Sequence, residues 1–246
     1  MGLKVGASTD TGRKRTQNQD SFIALPEIGL FVVADGMGGH QGGQTASQLA
    51  TETVAKQIKK TQKEMAHWPI ESTLTEAIHA ANQAIFQRSS SEPALQGMGT
   101  TVTALLFKDH SLCIAQVGDS RCYLLRDHGF WQTTRDHSLV EEKYRAGLIS
   151  REQVKSDRMR NVITRSVGFE PQVEVETYSL ECLPGDVFLI CSDGLSGMID
   201  DPLLFKLLEE WSKKGPPPQE IAEALTREAN AQGGDDNITS LVVQVT

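Results

Sequence analysis

Five short acidic segments stand where extended runs end: Asn18-Gln19-Asp20, Asp35-Gly36-Met37-Gly38-Gly39-His40, Gly118-Asp119-Ser120-Arg121, Ser192-Asp193-Gly194 and Asp235-Asp236-Asn237. Carboxylates gathered this way are hard oxygen donors suited to magnesium or manganese. In the second segment, Gly36, Gly38 and Gly39 let the backbone turn tightly and expose a carbonyl beside the Asp35 carboxylate. Ser192-Asp193-Gly194 repeats the strand-Asp-Gly arrangement far along the chain, and Asp236 precedes the last apolar run. Three such aspartates predict a binuclear site in which one carboxylate bridges two ions, able to activate water and clamp phosphoryl oxygens. The alternative, that each aspartate caps its own turn, accounts for them singly and leaves the repeated placement unexplained.

The neighbouring residues extend the same chemistry. Asp119 is expected to hold a third, weaker ion together with Asp193, and Asp20 to orient the attacking water from behind the ligands. Arg13-Lys14-Arg15 is an island of positive charge in an acidic chain. Arg15 is the first choice for a guanidinium fork on phosphate oxygens. His40 could donate a proton to a leaving alkoxide, although a helix-cap or supporting contact is the preferred reading. No serine elbow, cysteine phosphate loop or HExxH run is present, so a covalent nucleophile is not indicated.

These residues need rims to sit on. Residues 3–8, 21–24 and 29–34 read as strands, and apolar recurrence at three and four over 44–60 and 70–89 predicts two helices. Residues 102–107, 111–117 and 121–126 then read as a three-stranded meander. A second sheet is expected from 173–179, 187–191 and 238–245, interrupted by helices over 203–213 and 218–231. The order of elements favours an α+β class, with a two-sheet β-sandwich covered by helices on both outer faces. The charged stretch 136–168, only weakly periodic, is expected to be a helical flap over the site.

The 246 residues carry 24 Lys and Arg against 32 Asp and Glu, a formal charge of −8. One domain spanning 1–246 is the expectation at this length. The acidic balance, with no dense basic block, argues against a duplex nucleic-acid partner. No 18-residue apolar stretch or secretory leader is evident, so neither a membrane partner nor export is expected, and the cytoplasm is the expected compartment. Four cysteines without CxxC spacing read as buried thiols.

Taken in order, Arg15-Thr16-Gln17-Asn18-Gln19-Asp20, the Asp35–His40 loop, Gly99-Thr100-Thr101, Gly118-Asp119-Ser120-Arg121, Asp136-His137-Ser138, Asn161-Val162-Ile163-Thr164-Arg165, Ser192-Asp193-Gly194 and Asp236-Asn237-Ile238-Thr239 resemble the bacterial metal-dependent serine/threonine protein phosphatases of the protein phosphatase 2C family. The resemblance covers essentially the whole chain. It implies a four-layer αββα sandwich with the site at one end. It also implies two Mn2+ or Mg2+ ions held by Asp35, the Gly36 carbonyl, Asp193 and Asp236, with a third at Asp119 and Asp193. Arg15 would bind substrate phosphate and Asp20 would organise water for direct attack on phosphoserine or phosphothreonine. Phosphorylated proteins are the implied partners, and the chain is expected to act as a monomer. Two departures stand out: Met37 replaces the histidine that eukaryotic members use as general acid, and Asp157-Arg158 replaces a His-Pro common in the bacterial flap. The leaving-group donor is thus open, with His40 or metal-held water as candidates. A catalytically weak metal-binding interaction module and a small-molecule phosphatase are the competing readings.

Overall fold

The computed structural model describes residues 1–39 and 41–246. Two antiparallel sheets lie face to face. One has the order β1-β11-β10-β7-β8, from Leu3–Asp10, Ile238–Val245, Val187–Cys191, Arg121–Arg126 and Gly129–Gln132. The other runs β2-β3-β5-β6-β9, from Asp20–Leu25, Leu30–Met37, Val102–Lys108, Ser111–Val117 and Glu176–Glu181, with the two-residue β4, Gly99–Thr100, paired to the end of β3. Helices α1 (Gly42–Glu64) and α2 (Ile70–Ser91) cover the second sheet, while α6 (Asp201–Lys214) and α7 (Pro218–Ala231) cover the first.

Strand periodicity explains the four layers. In β3, Leu30, Val32 and Ala34 face the helices and join Ala46, Ala50, Val54 and Ile58 of α1 and Leu74, Ile78 and Ile85 of α2. The intervening Phe31 and Val33 face the other sheet. In β10 the same alternation sends Val187, Leu189 and Cys191 toward α6 and α7, and Phe188 and Ile190 inward. A strand covered on both faces is apolar at nearly every position, which is why Leu30–Ala34 and Val187–Cys191 carry no polar residue. Between the sheets, Phe107 meets Phe31 and Phe188 edge-on, each at 5.7 Å between ring centres.

Two expectations about pairing are overturned. Residues 102–126 do not form a meander: β5 and β6 pair in one sheet, and β7 crosses to the other, against β10. The diversion occurs at Gly118, whose φ of +104° and packing against Thr101 leave no room for a side chain. Gln116 holds the turn by donating to the carbonyls of both Gly118 and Ser120. The strand expected at 173–179 also belongs elsewhere, because β9 pairs along β6 and extends the sheet beneath α1 and α2. Strand β8 was not foreseen. The four cysteines are buried and free, as expected.

Residues 136–168 leave the sandwich beside Gly118 and return beside Thr100. They contain α3 (Leu139–Arg145), capped by Ser138, and α4 (Arg151–Ser156), which opens with a Ser150/Gln153 capping box. A bridge between Ser138 and Ile163 closes the base of this excursion. No helix is long and apolar enough to cross a membrane among the described residues.

Candidate active site

The ends of strands from both sheets meet where the acidic segments lie. Asp20 begins β2 directly opposite Asp35 of β3. Asp193 opens the four-residue helix α5 (Asp193–Ser196) immediately after β10, and Asp236-Asn237 leads into β11, the neighbour of β10. Close approach at this rim requires glycine. A Cβ on Gly36 would stand 2.0 Å from the Gly43 carbonyl at the start of α1, and one on Gly194 would stand 1.9 Å from the Asn237 carbonyl.

Hydrogen bonds then fix the Asp20 carboxylate and the backbone that carries Asp35. Ser192 and Thr239 hydroxyls both donate to Asp20 Oδ2, at 2.8 and 2.7 Å, while Asp20 Oδ1 is buried without a partner. Asp35 is held through its main chain. Its N–H donates to Thr101 Oγ1 at 2.9 Å, and its carbonyl accepts from Thr100 Oγ1 at 2.9 Å and from the Thr101 N–H at 2.8 Å. Thr101 Oγ1 also lies 2.7 Å from Ser120 Oγ, joining this strand to the Asp119 turn. Asn237 ties the segment before Asp20 to the site: its amide donates to the carbonyls of Thr11 and Gln17 and accepts from the Gln19 N–H.

Like charges in a buried space make ionisation unfavourable. Burial, opposed by the hydrogen bonds from Thr239 and Ser192 and assisted by Asp193 and Asp236, pushes the Asp20 carboxyl up to about 7. Burial and the fields of Asp20, Asp193, Asp119 and Asp236 hold Asp35 well above the usual carboxylate range. Asp119 is raised in the same direction by burial, then by Asp193 and Asp136, with Arg121 acting against them. Asp193 is raised by burial and Asp236, with Asp35, Arg121 and Arg15 acting against them.

Divalent cations fit this set. Asp20 Oδ1 and Asp193 Oδ1 are buried carboxylate oxygens with no protein partner, which is costly for an anion left uncompensated. Among the described residues no three acidic, histidine or cysteine side chains form a ready-made cage.

The structure therefore gathers Asp20, Asp35, Gly36, Asp119, Asp193 and Asp236 at one end of the sandwich. Arg15 reaches the same place from the loop after β1, with its guanidinium 2.7 Å from Asp236 Oδ2. It is 53% exposed against 32% for its partner, so the phosphate-binding candidate lies on the open side. His40 lies outside the described residues. Reading the chain for carboxylates passed over the clamp on Asp20 and the Thr100-Thr101 support of Asp35. The available signal was Ser192 directly before Asp193, Thr239 three residues after Asp236, and the Thr100-Thr101 pair.

The protein phosphatase 2C family pattern matches residues 9–228. The serine/threonine phosphatase stp of Listeria monocytogenes serotype 4b is 39% identical over 239 residues, covering 96% of this chain and 93% of that protein. The crystal structure of the Mycobacterium tuberculosis serine/threonine phosphatase PstP/Ppp superposes with a TM-score of 0.90 at 36% identity, covering 100% of this chain and 99% of that one. A structure of the PstP catalytic domain in complex with two manganese ions gives a TM-score of 0.87 at 35% identity over 99% of each chain. With a family match over most of its length and this degree of identity to bacterial serine/threonine phosphatases, the chain belongs to the protein phosphatase 2C family.

Proposed function

We propose that this chain hydrolyses phosphoserine and phosphothreonine in proteins, with divalent manganese or magnesium held by Asp35, the Gly36 carbonyl, Asp193 and Asp236, and a weaker ion at Asp119 and Asp193. The observation that carries the reading is the pair of buried, unpartnered oxygens on Asp20 and Asp193, inside a cluster of carboxylates that oppose one another's ionisation. The relative in complex with two manganese ions supports the binuclear part of this reading. When bound, such ions supply Lewis acidity, lowering the pKa of water and neutralising phosphoryl charge.

The protein's own groups do the rest. Ser192 and Thr239 lock one oxygen of Asp20, so its other oxygen is presented in a fixed direction to accept a hydrogen bond from the attacking water. Arg15 exchanges Asp236 for the substrate phosphate, a planar donor meeting two oxygens of a dianion. Thr100, Thr101 and Asn237 hold the strand ends at fixed separation, so little reorganisation is needed as charge develops. Nothing in this set recognises the carrier of the phosphate, so the preference for protein substrates must come from the surrounding surface.

The reading is tested by comparing kcat/KM for phosphothreonine peptides with that for small phosphate monoesters, at saturating manganese. Faster turnover of the peptides is expected. Hydrolysis confined to small monoesters would turn the assignment to a small-molecule phosphatase, and metal uptake without any turnover to a binding module.

A further inference from the structure

Asp136-His137-Ser138 stands at the point where the chain leaves the sandwich, and the chemistry proposed above gives it no task. Its contacts are specific. His137 is 5% exposed. Its Nδ1 accepts the Gly118 N–H at 3.1 Å, and its own N–H donates to the Gly118 carbonyl at 2.9 Å. Both polar groups of the peptide unit's neighbour to Asp119 are thus held by one residue. Beside it, Asp136 receives the fork of Arg121, with Nε–Oδ1 at 3.0 Å and Nη2–Oδ2 at 2.7 Å, and Arg121 lies two residues beyond Asp119. The turn carrying Asp119 is therefore clasped on both sides by consecutive residues.

The other side of His137 faces the returning limb of the excursion. Its carbonyl accepts the Thr164 N–H at 2.8 Å. Its Nε2 lies 3.4 Å from Arg165 Nη1 and 3.5 Å from Glu176 Oε1 on β9. An Nδ1 that accepts a hydrogen bond carries no proton, so in the neutral ring the proton is on Nε2, with the Glu176 carboxylate 3.5 Å away. Three residues further on, Val167 exchanges two backbone hydrogen bonds with Thr100, which itself supports Asp35.

Resting on the phosphatase reading above, we propose that His137 is a positioning residue that couples the base of the 136–168 excursion to the Asp119 turn. One ring nitrogen sets where the Asp119 carboxylate stands. The other, with Arg165 and Glu176, sets the return path of the segment. The two halves of the ring are separable by substitution. In His137→Asn the side-chain oxygen takes the place of Nδ1 and nothing reaches Glu176. In His137→Gln the amide reaches toward Glu176 and the Gly118 N–H loses its acceptor.

The experiment measures manganese uptake calorimetrically, together with KM and kcat on a phosphothreonine peptide and on p-nitrophenyl phosphate, for wild type, both variants, Asp119→Asn and the Asp119→Asn/His137→Gln double variant. His137→Gln is expected to weaken the loosest manganese site about tenfold and to add nothing further when Asp119 is already Asn. His137→Asn is expected to bind manganese as wild type does and to raise KM for the peptide while leaving that for p-nitrophenyl phosphate unchanged. Manganese binding and kinetics equal to wild type in both variants would overturn the proposal. So would an identical loss in both that tracks a fall in melting temperature, since that is a purely structural role. A wild-type protein that takes up no manganese and has no activity would instead remove the phosphatase reading itself.

Discussion

At the scale of single residues, the site is defined by charge that the protein alone does not neutralise. The Asp20 carboxyl is pushed up to about 7 chiefly by burial. Its folded value therefore exceeds its unfolded one, so its contribution to stability is present below the unfolded pKa and is lost as pH rises through about 7. In the metal-free protein, Asp20→Asn should accordingly be more stable than wild type at pH 8, by on the order of a few kcal/mol, and the gain should shrink toward pH 4. Urea unfolding in the presence of chelator measures it. A substitution that destabilises equally at both pH values would contradict the electrostatic account. Arg15 makes the opposite kind of prediction, because it is accessible and its partner is exchangeable. Arg15→Ala should lower kcat/KM for p-nitrophenyl phosphate roughly 10- to 100-fold, as expected for losing a hydrogen bond to a charged group, with little change in melting temperature.

At the scale of elements, position follows from how strands end. The runs of β3, β6 and β10 are legible because strands covered on both faces are almost wholly apolar, with Gln116 of β6 the buried exception, and each run is followed within two residues by its aspartate. The helices α1, α2 and α7 are legible from their periodic apolar faces. Which strand pairs with which was not. A three-stranded meander and a chain that crosses between sheets have the same local pattern over 102–126, and the difference rests on Gly118 packing against Thr101, a contact between residues that flank different strands. The short β8 and the clamp from Ser192 and Thr239 were hidden for the same reason: a hydroxyl at a strand end shows its partner only when the fold brings the other strand alongside. Gly194 tests the rim directly. A Cβ there would meet the Asn237 carbonyl and approach Asp236, so Gly194→Ala should cost about 1–3 kcal/mol of stability and weaken manganese uptake. Calorimetry and thermal melting together separate these effects. Full manganese affinity in this variant would show that the α5 start does not fix the ligands.

At the scale of the whole molecule, the two sheets and their helices form three apolar layers, and the site occupies one end of that stack rather than a cavity inside it. Stability and chemistry should therefore be separable. Phe188 lies between the sheets, edge-on to Phe107. Phe188→Ala should cost about 3–5 kcal/mol in urea unfolding while leaving KM for p-nitrophenyl phosphate near wild type at a temperature where the variant is folded. A large change in KM would mean that the inter-sheet core sets the site geometry more directly than the strand ends do.

The central claim is that the buried aspartates are crowded because divalent cations belong among them. Asp35, faced by Asp20, Asp193, Asp119 and Asp236, is where that claim is most exposed. The most direct measurement follows manganese uptake, turnover of a phosphothreonine peptide and metal-free melting at pH 8 for wild type and Asp35→Asn. The account predicts that the variant loses manganese uptake and turnover while its metal-free form melts at a higher temperature than wild type. Retained turnover, or a metal-free variant less stable than wild type at pH 8, would contradict it.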